Sequence, residues 1–520
     1  MLSGGWRAIL DRSGEMWNRV QRDIKGRKVG RMKASRITNV LAVLSAIVAG
    51  VTASERSFAQ GYETRGTWIT AGDHDLVATP LKIGETMSRL SEMGVSTVYV
   101  DVWSNGQAGF VSKAVERAAG GVQAPTRLLE DTLIEASRHG LIYFAWFSSG
   151  FALGPKDGVS AVRKIHPDWL SRDAKGSDVA PDGSVWLNPA HPEARRFLLD
   201  LVLEAVDGYD LDGVQFGDSI GWPAVTMGYD QFTKKAYADD HGGVEPPSDA
   251  KDAGWVKWRT DKVNEFAKML VQEIRAKRPG LLISLSPSLY PASIDEHMLE
   301  WPKWGAWKPA DSVRLADKTW AGNAQDARWD EFVPRCFTPD FDSFRSAWLE
   351  QLRFINEMGG ARIRDVAAGM RLSDDGKRPP WEDVQRSIET VRRINARGHV
   401  LLSCREVLGG SSAKLTEFYS PSTTGPAIHP VLGPKWRTES TDVFRTIVSN
   451  EQGDEVWSGG AAGGTWRPIA FDGERWIYID RTMFTAGGRF EFSIPQSKYL
   501  QMQVVRDRRP ELSRQRPGNQ

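Results

Sequence analysis

The stretch PEARRFLLDLVLEAVDGYDLDGVQFGD, residues 192–218, carries the local pattern that decides the fold. Its first part places Phe197, Leu201 and their apolar neighbours three and four residues apart, which predicts a helix with one buried face. Gly208 suits the end of that helix, and the apolar run around Val214 predicts a buried β-strand. A helix that leads through a glycine into a buried strand is the repeating unit of folds with a parallel sheet.

The same unit recurs over residues 65–406. Strands are predicted at Arg65–Thr70, Val95–Trp103, Leu141–Phe147, Leu211–Phe216, Leu281–Ser286, Glu331–Phe337, Asp365–Met370 and His399–Arg405. Helices are predicted at Leu81–Met93, Arg127–His139, Pro192–Val206, Val256–Lys277, Phe341–Met358 and Trp381–Ala396. Eight strands that alternate with helices predict a (β/α)8 TIM barrel. A doubly wound sheet is the alternative, but no Gly-rich phosphate loop follows the first strand.

The barrel is predicted over residues 62–425, and a different pattern follows it. Short alternating runs such as Trp476–Ile479 and Phe490–Ile494 stand between Gly-rich turns, which predicts a small C-terminal β domain over 426–506. We expect this domain to be separable from the barrel. Residues 507–520 are rich in Arg, Pro and Gln and predict a disordered tail.

Charge and composition exclude several classes of protein. The chain has 67 Lys and Arg against 66 Asp and Glu, but residues 1–59 carry 11 basic and four acidic side chains, so the remainder has a net charge of about −6. That sign argues against a nucleic-acid partner. Two cysteines, Cys336 and Cys404, exclude a disulfide-stapled scaffold, and two buried free thiols are expected. The 21 tryptophans are a large number, and sugar rings are one ligand that stacks on them.

Residues 1–59 predict a basic preamble and a secretory signal peptide. The apolar run at 37–51 follows Lys33 and Arg36, and small residues suited to cleavage follow it. At about 15 residues the run is shorter than the roughly 20 that span a bilayer, so no stable membrane span is expected. The prediction is export to the periplasm or the medium. No protein partner can be deduced.

Polar residues at the predicted strand ends are the candidate functional groups, because barrel active sites form at the carboxyl ends of the strands. Asp218 and Gln215 end the fourth strand, Asp101 ends the second, and Glu406 follows the eighth. For Asp218 the alternative is a carboxylate that braces a loop. For Asp101 the alternative is a buried salt bridge, with Arg65 as the expected partner.

Further candidates would contact a ligand rather than react. Trp146, Trp103 and Trp222 lie at or just beyond strand ends and could stack on sugars, although Trp146 could equally be a core residue. Asn188 could donate to a ligand or cap the following helix. The predicted binding residues are therefore Gln215, Asn188, Trp146, Trp103, Trp222 and Arg65.

The sequence contains no motif for metal-dependent or serine-nucleophile chemistry. The eight histidines are scattered, no His-Glu-x-x-His occurs, and no metal or other cofactor is expected. A Gly-x-Ser-x-Gly nucleophile elbow is also absent. Two carboxyl groups are what glycoside hydrolysis needs. The predicted catalytic residues are Asp218, Glu406 and Asp101, and the predicted partner is a polysaccharide.

Several motifs together resemble the family 10 glycosylhydrolase-like bacterial proteins. The resemblance rests on RGTWIT at 65–70, VYVDV at 98–102, HPDW at 166–169, WLNP at 186–189, residues 209–216, Trp255–Asn264 and LSP at 285–287, in this order. It implies a (β/α)8 barrel in an exported protein that hydrolyses a polysaccharide, with peptidoglycan-type cell-wall glycan as the implied substrate.

One position departs from the family pattern. The resemblance implies two consecutive acids at the end of the fourth strand, and this chain has Gly217 followed by Asp218. Two hypotheses therefore stand: a secreted glycoside hydrolase, and a carbohydrate-binding pseudoenzyme that does not cleave.

Overall fold

A computed structural model describes residues 62–121, 126–158, 160–307, 327–374, 376–420, 423–424, 427–432, 448–449, 455–479, 484–494 and 499–507. The predicted signal peptide lies outside the described residues, as does the predicted tail at 507–520 except for Asp507, which ends the last described strand. No helix within these ranges is both long and apolar enough to cross a membrane.

Eight parallel strands form the central sheet. They are β1 Thr64–Ile69, β2 Thr97–Asp101, β3 Ile142–Phe147, β4 Gly213–Gly217, β5 Leu282–Ser286, β6 Glu331–Phe332, β7 Ala367–Arg371 and β8 Gly398–Leu402. Hydrogen-bonded pairing runs from β6 through β5, β4, β3, β2, β1 and β8 to β7. Parallel bridges Phe332–Val366 and Arg335–Gly369 join the two ends of this series, so the sheet closes into a barrel.

Helices surround the barrel between the strands. The first α-helices are α1 Pro80–Met93, α2 Lys113–Ala119, α3 Leu128–Arg138, α4 Ala161–Ile165, α5 Pro192–Gly208, α6 Gln231–Asp240 and α7 Ala253–Lys277. They continue with α8 Ala292–His297, α9 Trp301–Trp304, α10 Phe341–Glu357, α11 Trp381–Arg393, α12 Cys404–Leu408 and α13 Ser412–Phe418. Local signals set their ends: the Thr79 side chain caps α1 and Pro80 opens it, while Asp340 caps α10.

Strand alternation divides the barrel residues into an outer and an inner set. Side chains on the inner face form a separate apolar cluster that contains Trp68, Tyr99, Phe144 and Val400. Space there is so limited that a Cβ at Gly213 would lie 2.3 Å from the Phe144 ring, so only glycine fits at the start of β4. The outer set packs against the helices in the larger core.

The C-terminal strands form an antiparallel sheet. They are β9 Val448–Ser449, β10 Glu455–Phe471, β11 Trp476–Tyr478, β12 Phe484–Ile494 and β13 Gln501–Asp507, and β10 pairs with each of the others. Ile134 of α3 packs with Ile469, Trp476 and Val505 of this sheet. The sheet therefore shares an apolar contact with the barrel, and its separability stays a prediction.

The eight predicted strands and six predicted helices are confirmed, with ends that differ by a few residues. The largest difference is at β6, which ends at Phe332 where a strand to Phe337 is predicted. A smaller one is at β8, which ends at Leu402 where a strand to Arg405 is predicted. Residues 404–408 turn into the short helix α12, because Glu406 and Val407 donate their N–H groups to the Ser403 carbonyl. Cys336 and Cys404 are buried free thiols, as expected.

Candidate functional site

The candidate site is the mouth of the barrel, where inner-face residues reach the carboxyl ends of the strands. Asp101 of β2 pairs with Trp146 of β3, Gly217 of β4 pairs with Ser286 of β5, and Arg371 of β7 pairs with Leu402 of β8. These six positions share the inner face by alternation with the buried residues beneath them. They form the uppermost layer, and Arg335, beyond the end of β6, joins it through its bridge to Gly369.

A fully buried polar network forms the floor beneath this layer. The Trp68 indole N–H donates to Gln215 Oε1 over 2.7 Å, and Gln215 Nε2 donates to the Ser284 hydroxyl over 2.9 Å. The Ser284 and Tyr99 hydroxyls both donate to Glu331 Oε1. Gln215, a predicted binding residue, therefore lies inside the barrel with both amide atoms bonded to protein.

A buried ion pair completes the floor. The Arg397 guanidinium lies 2.7 Å from Glu331 Oε2, and both side chains are inaccessible to solvent. Burial raises the pKa of Tyr99 well above its usual value, and the adjacent Glu331 charge raises it further. Every charge in the floor thus has a partner, which is what burial requires.

Asp101 occupies the layer above and is only partly buried. Its Oδ1 accepts a hydrogen bond of 2.8 Å from the Ser148 hydroxyl, which follows β3. Burial raises the pKa of Asp101 to about 7, against the smaller opposing effect of hydrogen bonds from serine side chains. A carboxyl group with this pKa holds a proton near neutral pH and can release it, as a general acid must.

The expected pairing of Asp101 with Arg65 is wrong. Arg65 lies at the opposite end of the barrel, since it pairs with His399 near the start of β8. It is fully buried, and its Nε donates to Glu63 over 2.6 Å. An arginine at the amino ends of the strands braces the bottom of the barrel and does not reach the mouth.

Asp218 begins a single turn of 3-10 helix after β4. Its Oδ1 accepts from the Ser288 backbone N–H over 2.7 Å and from the Ser288 hydroxyl over 3.1 Å, and its Oδ2 forms an ion pair with Arg335. Hydrogen bonds and a guanidinium favour the charged form of a carboxyl group. Burial lowers the pKa of Arg335 to about 10, so its own charge persists at neutral pH.

Asp101 and Asp218 therefore stand at one mouth in opposite environments. Desolvation favours the neutral form of Asp101, whereas charged and hydrogen-bonded partners favour the carboxylate of Asp218. Two carboxyl groups separated in this way divide the acid role from the base or nucleophile role in glycosidases.

Glu406, the third predicted catalytic residue, lies in the first turn of α12 rather than on a strand. Its Oε2 accepts from Arg378 Nε over 2.8 Å, and that arginine is half exposed. The pair lies beyond the end of β8, outside the inner-face layer.

Three predicted binding residues are fully buried and bonded to protein. The Trp103 indole donates to the Gly150 carbonyl and the Trp222 indole to the Arg259 carbonyl. Asn188 donates to Asp230 and Thr233, and its Oδ1 accepts from the Ala190 N–H at the entry to α5. The alternative role of helix-start capping is not confirmed for Asn188, because α5 begins after His191 without a side-chain cap and Ala190 lies before its first turn. These side chains hold the loops above the barrel and present no surface to a ligand in this structure.

Trp146 is the predicted tryptophan that reaches the mouth. It is partly exposed, and its ring lies 6.1 Å from that of Trp68. Phe337 meets Trp68 edge-on, with ring centroids 6.2 Å apart. The mouth therefore has an aromatic side formed by the partly exposed Trp146 and Phe337, which pack on the buried Trp68, and this side suits the apolar face of a sugar ring.

Sequence reasoning missed Arg335 and Arg371. Val333 belongs to the inner cluster, so alternation along residues 331–337 puts Arg335 on the same face. A Cβ at Gly369 would lie 3.1 Å from Trp68, which places Arg371 on the inner face as well. Counting two residues forward from the buried inner residues of each strand would have found both.

Gly217 lies in the mouth layer, where its missing side chain leaves room. A Cβ there would meet the Ser148 and Ser286 carbonyl oxygens at 3.7 and 3.8 Å, which is ordinary contact. The backbone is extended, with φ of −116°. A Cβ at this position would therefore fit without backbone strain. Among the described residues no group of three His, Cys, Asp or Glu is placed to hold a metal ion.

Parts of this chain are similar in sequence to known proteins. Glycosyl hydrolase YngK of Bacillus subtilis (strain 168) is 28% identical over 331 residues, which cover 57% of this chain and 57% of that protein. Glycosyl hydrolase DigH of Escherichia coli (strain K12) is 23% identical over 222 residues, 39% of this chain and 46% of that protein. The chain thus spans about half the length of these curated relatives.

One solved structure has a similar arrangement. The PgaB (BpsB) glycoside hydrolase domain from Bordetella bronchiseptica aligns with a TM-score of 0.47 at 13% identity, over 68% of this chain and 97% of that domain. The family described as glycosyl hydrolase-like 10 matches residues 63–316, which include β1 to β5 with Asp101 and Asp218. This match over residues 63–316 confirms the resemblance that the motifs indicate.

Proposed function

We propose that the protein is a glycoside hydrolase in which Asp101 is the general acid and Asp218 the general base. The observation that carries the proposal is the contrast between the two carboxyl groups: burial raises the pKa of Asp101, whereas Asp218 pairs with the Arg335 guanidinium and accepts hydrogen bonds from Ser288. Both belong to elements that end at the barrel mouth, where enzymes with this fold place their chemistry.

The reaction needs one proton delivered and one removed. Asp101 donates its proton to the glycosidic oxygen as the bond to the anomeric carbon breaks. A water molecule attacks that carbon, and Asp218 accepts the proton that the water loses. The space beside Gly217, bounded by the Ser148 and Ser286 carbonyl oxygens, is where such a water would fit.

The proposed substrate is a polysaccharide, with peptidoglycan-type cell-wall glycan as the first choice, and the proposed location is the periplasm or the medium. The aromatic side of the mouth supports a sugar ligand. The substrate choice and the location rest on the family resemblance and on the basic and apolar pattern of residues 1–59.

A leaving-group comparison tests the role of Asp101. We expect Asp101→Asn to lower kcat/KM on a polysaccharide by about 10²–10⁴-fold, the usual contribution of acid catalysis. An aryl glycoside with an acidic phenol leaves without protonation, so the loss on that substrate should be at least tenfold smaller. Equal losses on both substrates would remove Asp101 from the acid role.

The second candidate function is glycan binding without cleavage. Gly217 stands where the family resemblance implies an acid, and both oxygens of Asp218 already have protein partners. A purified protein that binds glycan strands but releases no reducing ends from any glycan tested would establish this alternative.

A further inference from the structure

Two arginines, Arg335 and Arg371, lie at the barrel mouth, and only Arg335 contacts a residue of the proposed hydrolysis. Arg335 follows β6, and Arg371 is the last residue of the neighbouring strand β7. Both lie on the inner face. Arg335 is committed to Asp218. The ion-pair partner of Arg371 is neither Asp101 nor Asp218.

The surroundings of Arg371 suit a ligand. Its guanidinium carbon lies 5.6 Å from the centre of the Phe337 ring, so the aromatic ring supports it from one side. Its ion-pair partner is Asp374, three residues later, whose side chain is 71% exposed. Exposed pairs of this kind contribute at most about 1 kcal/mol, so an incoming anion can replace Asp374 at little cost.

We propose that Arg371 recognises a carboxylate on the sugar bound beside the cleaved bond, so that the substrate is an acidic glycan. This rests on the proposed function and adds to it the chemical class of the substrate. A guanidinium can hold a carboxylate through two parallel hydrogen bonds, which adds geometric selectivity to the charge. A neutral sugar would make no such contact.

The charges on the other side of the mouth explain why the anion would bind here. Asp101 and Asp218 both lie away from β7, on β2 and after β4. Arg335 stands between Asp218 and Arg371 in strand order and offsets the negative charge of Asp218. On the β7 side the carboxylate paired with Arg371 is the exposed Asp374, so an acidic substituent there meets a guanidinium whose counter-ion it can replace.

The test compares two probes that differ only in the carboxylate. One is peptide-free peptidoglycan glycan strands with free lactyl carboxyl groups, and the other is the same strands with those groups reduced to alcohols. We expect reduction to weaken binding, measured by calorimetry, and kcat/KM, measured by reducing-end release, by about 10–100-fold, the range for a hydrogen bond to a charged group.

Variants assign the effect to one residue. Arg371→Gln should lose about the same 10–100-fold on the acidic strands and under threefold on the reduced strands, and Arg371→Lys should lose an intermediate factor. Arg353→Gln, at a half-exposed arginine of α10 with two ion-pair partners on its own helix, is the matched control and should change neither.

The outcomes separate the two proposals. Equal affinity of wild type for both strands, or equal losses of Arg371→Gln on both, would overturn the recognition of a carboxylate and leave the hydrolase intact. If wild type neither binds nor cleaves either strand, the proposed function fails on its first-choice substrate, and this inference fails with it.

Discussion

The floor and the mouth of the barrel are successive layers of one inner face, and they treat their charges differently. In the floor, Glu331 is fully buried and receives two hydroxyl hydrogen bonds and the Arg397 guanidinium. In the mouth, two residues further along β2 from the floor residue Tyr99, Asp101 has hydrogen bonds from neutral groups and a raised pKa.

This difference separates structural carboxylates from candidate functional ones. A buried carboxylate that is fully paired has little chemistry to offer, because proton uptake would break its ion pair. A carboxyl group whose charge is poorly compensated holds a proton that a substrate can take. Position at or just beyond a strand end does not by itself mark a functional side chain, because Trp103 and Asn188 are fully buried there.

The largest expected effect is on turnover, at Asp218. Asp218→Asn removes the base and leaves the shape almost unchanged, so we expect a loss of about 10³-fold or more in kcat and a change in glycan affinity within about 1 kcal/mol. Reducing-end assays and calorimetry measure the two. Glu406→Gln is the control, since Glu406 lies outside the mouth layer, and full activity of Asp218→Asn would refute the site.

The next effect is on folding, at Glu331. Glu331→Gln keeps the volume but leaves the buried Arg397 without its counter-charge, so we expect a loss of about 3–5 kcal/mol in the free energy of unfolding. Urea denaturation monitored by tryptophan fluorescence measures it. A loss below 1 kcal/mol would show that the floor network does not hold the barrel together.

A smaller effect is expected at Gly217. Gly217→Asp adds an acid to the mouth at a position with space for its Cβ and an extended backbone. We expect the variant to fold and to raise hydrolysis by about tenfold, because it restores the pair of acids that the family resemblance implies. Turnover in this variant with none in wild type would favour the binding protein over the hydrolase. Gly213→Asp is the contrast, since the Phe144 ring excludes any side chain there.

The smallest effect is a pH-dependent stability at Asp101. Its pKa rises from 3.8 to about 7 on folding, so its contribution to stability is full below pH 4 and is lost as the pH rises to about 7. Asp101→Asn removes that loss. A pKa rise of this size corresponds to roughly 4 kcal/mol, and solvent screening of the partly exposed Asp101 reduces this effect. We expect the variant to gain about 1–2 kcal/mol over wild type at pH 8 and nothing at pH 4, by urea denaturation at each pH. A pH-independent difference would contradict the raised pKa.

The contrast between floor and mouth was only partly predictable. Position at the predicted strand ends marked Asp101, Gln215 and Asp218 as candidate functional residues. The partners were not predictable, because Ser148, Ser288 and Arg335 come from other elements and meet these groups only in the closed barrel. The error at Arg65 has a different origin, because the predicted strand begins at Arg65 and parallel strands place that start and the end of β2 at opposite ends of the barrel.

The sequence by itself determined the barrel and the order of its strands. Apolar periodicity is a local property, and each helix and strand carries its own signals, from the cap at Asp340 to the glycine at 213. Only the tertiary structure decided which polar residues serve folding and which remain for chemistry. That choice depends on burial and on partners distant in the chain, such as Glu331 with Tyr99 and Arg397, because the protonation state of a carboxyl group follows from its whole environment.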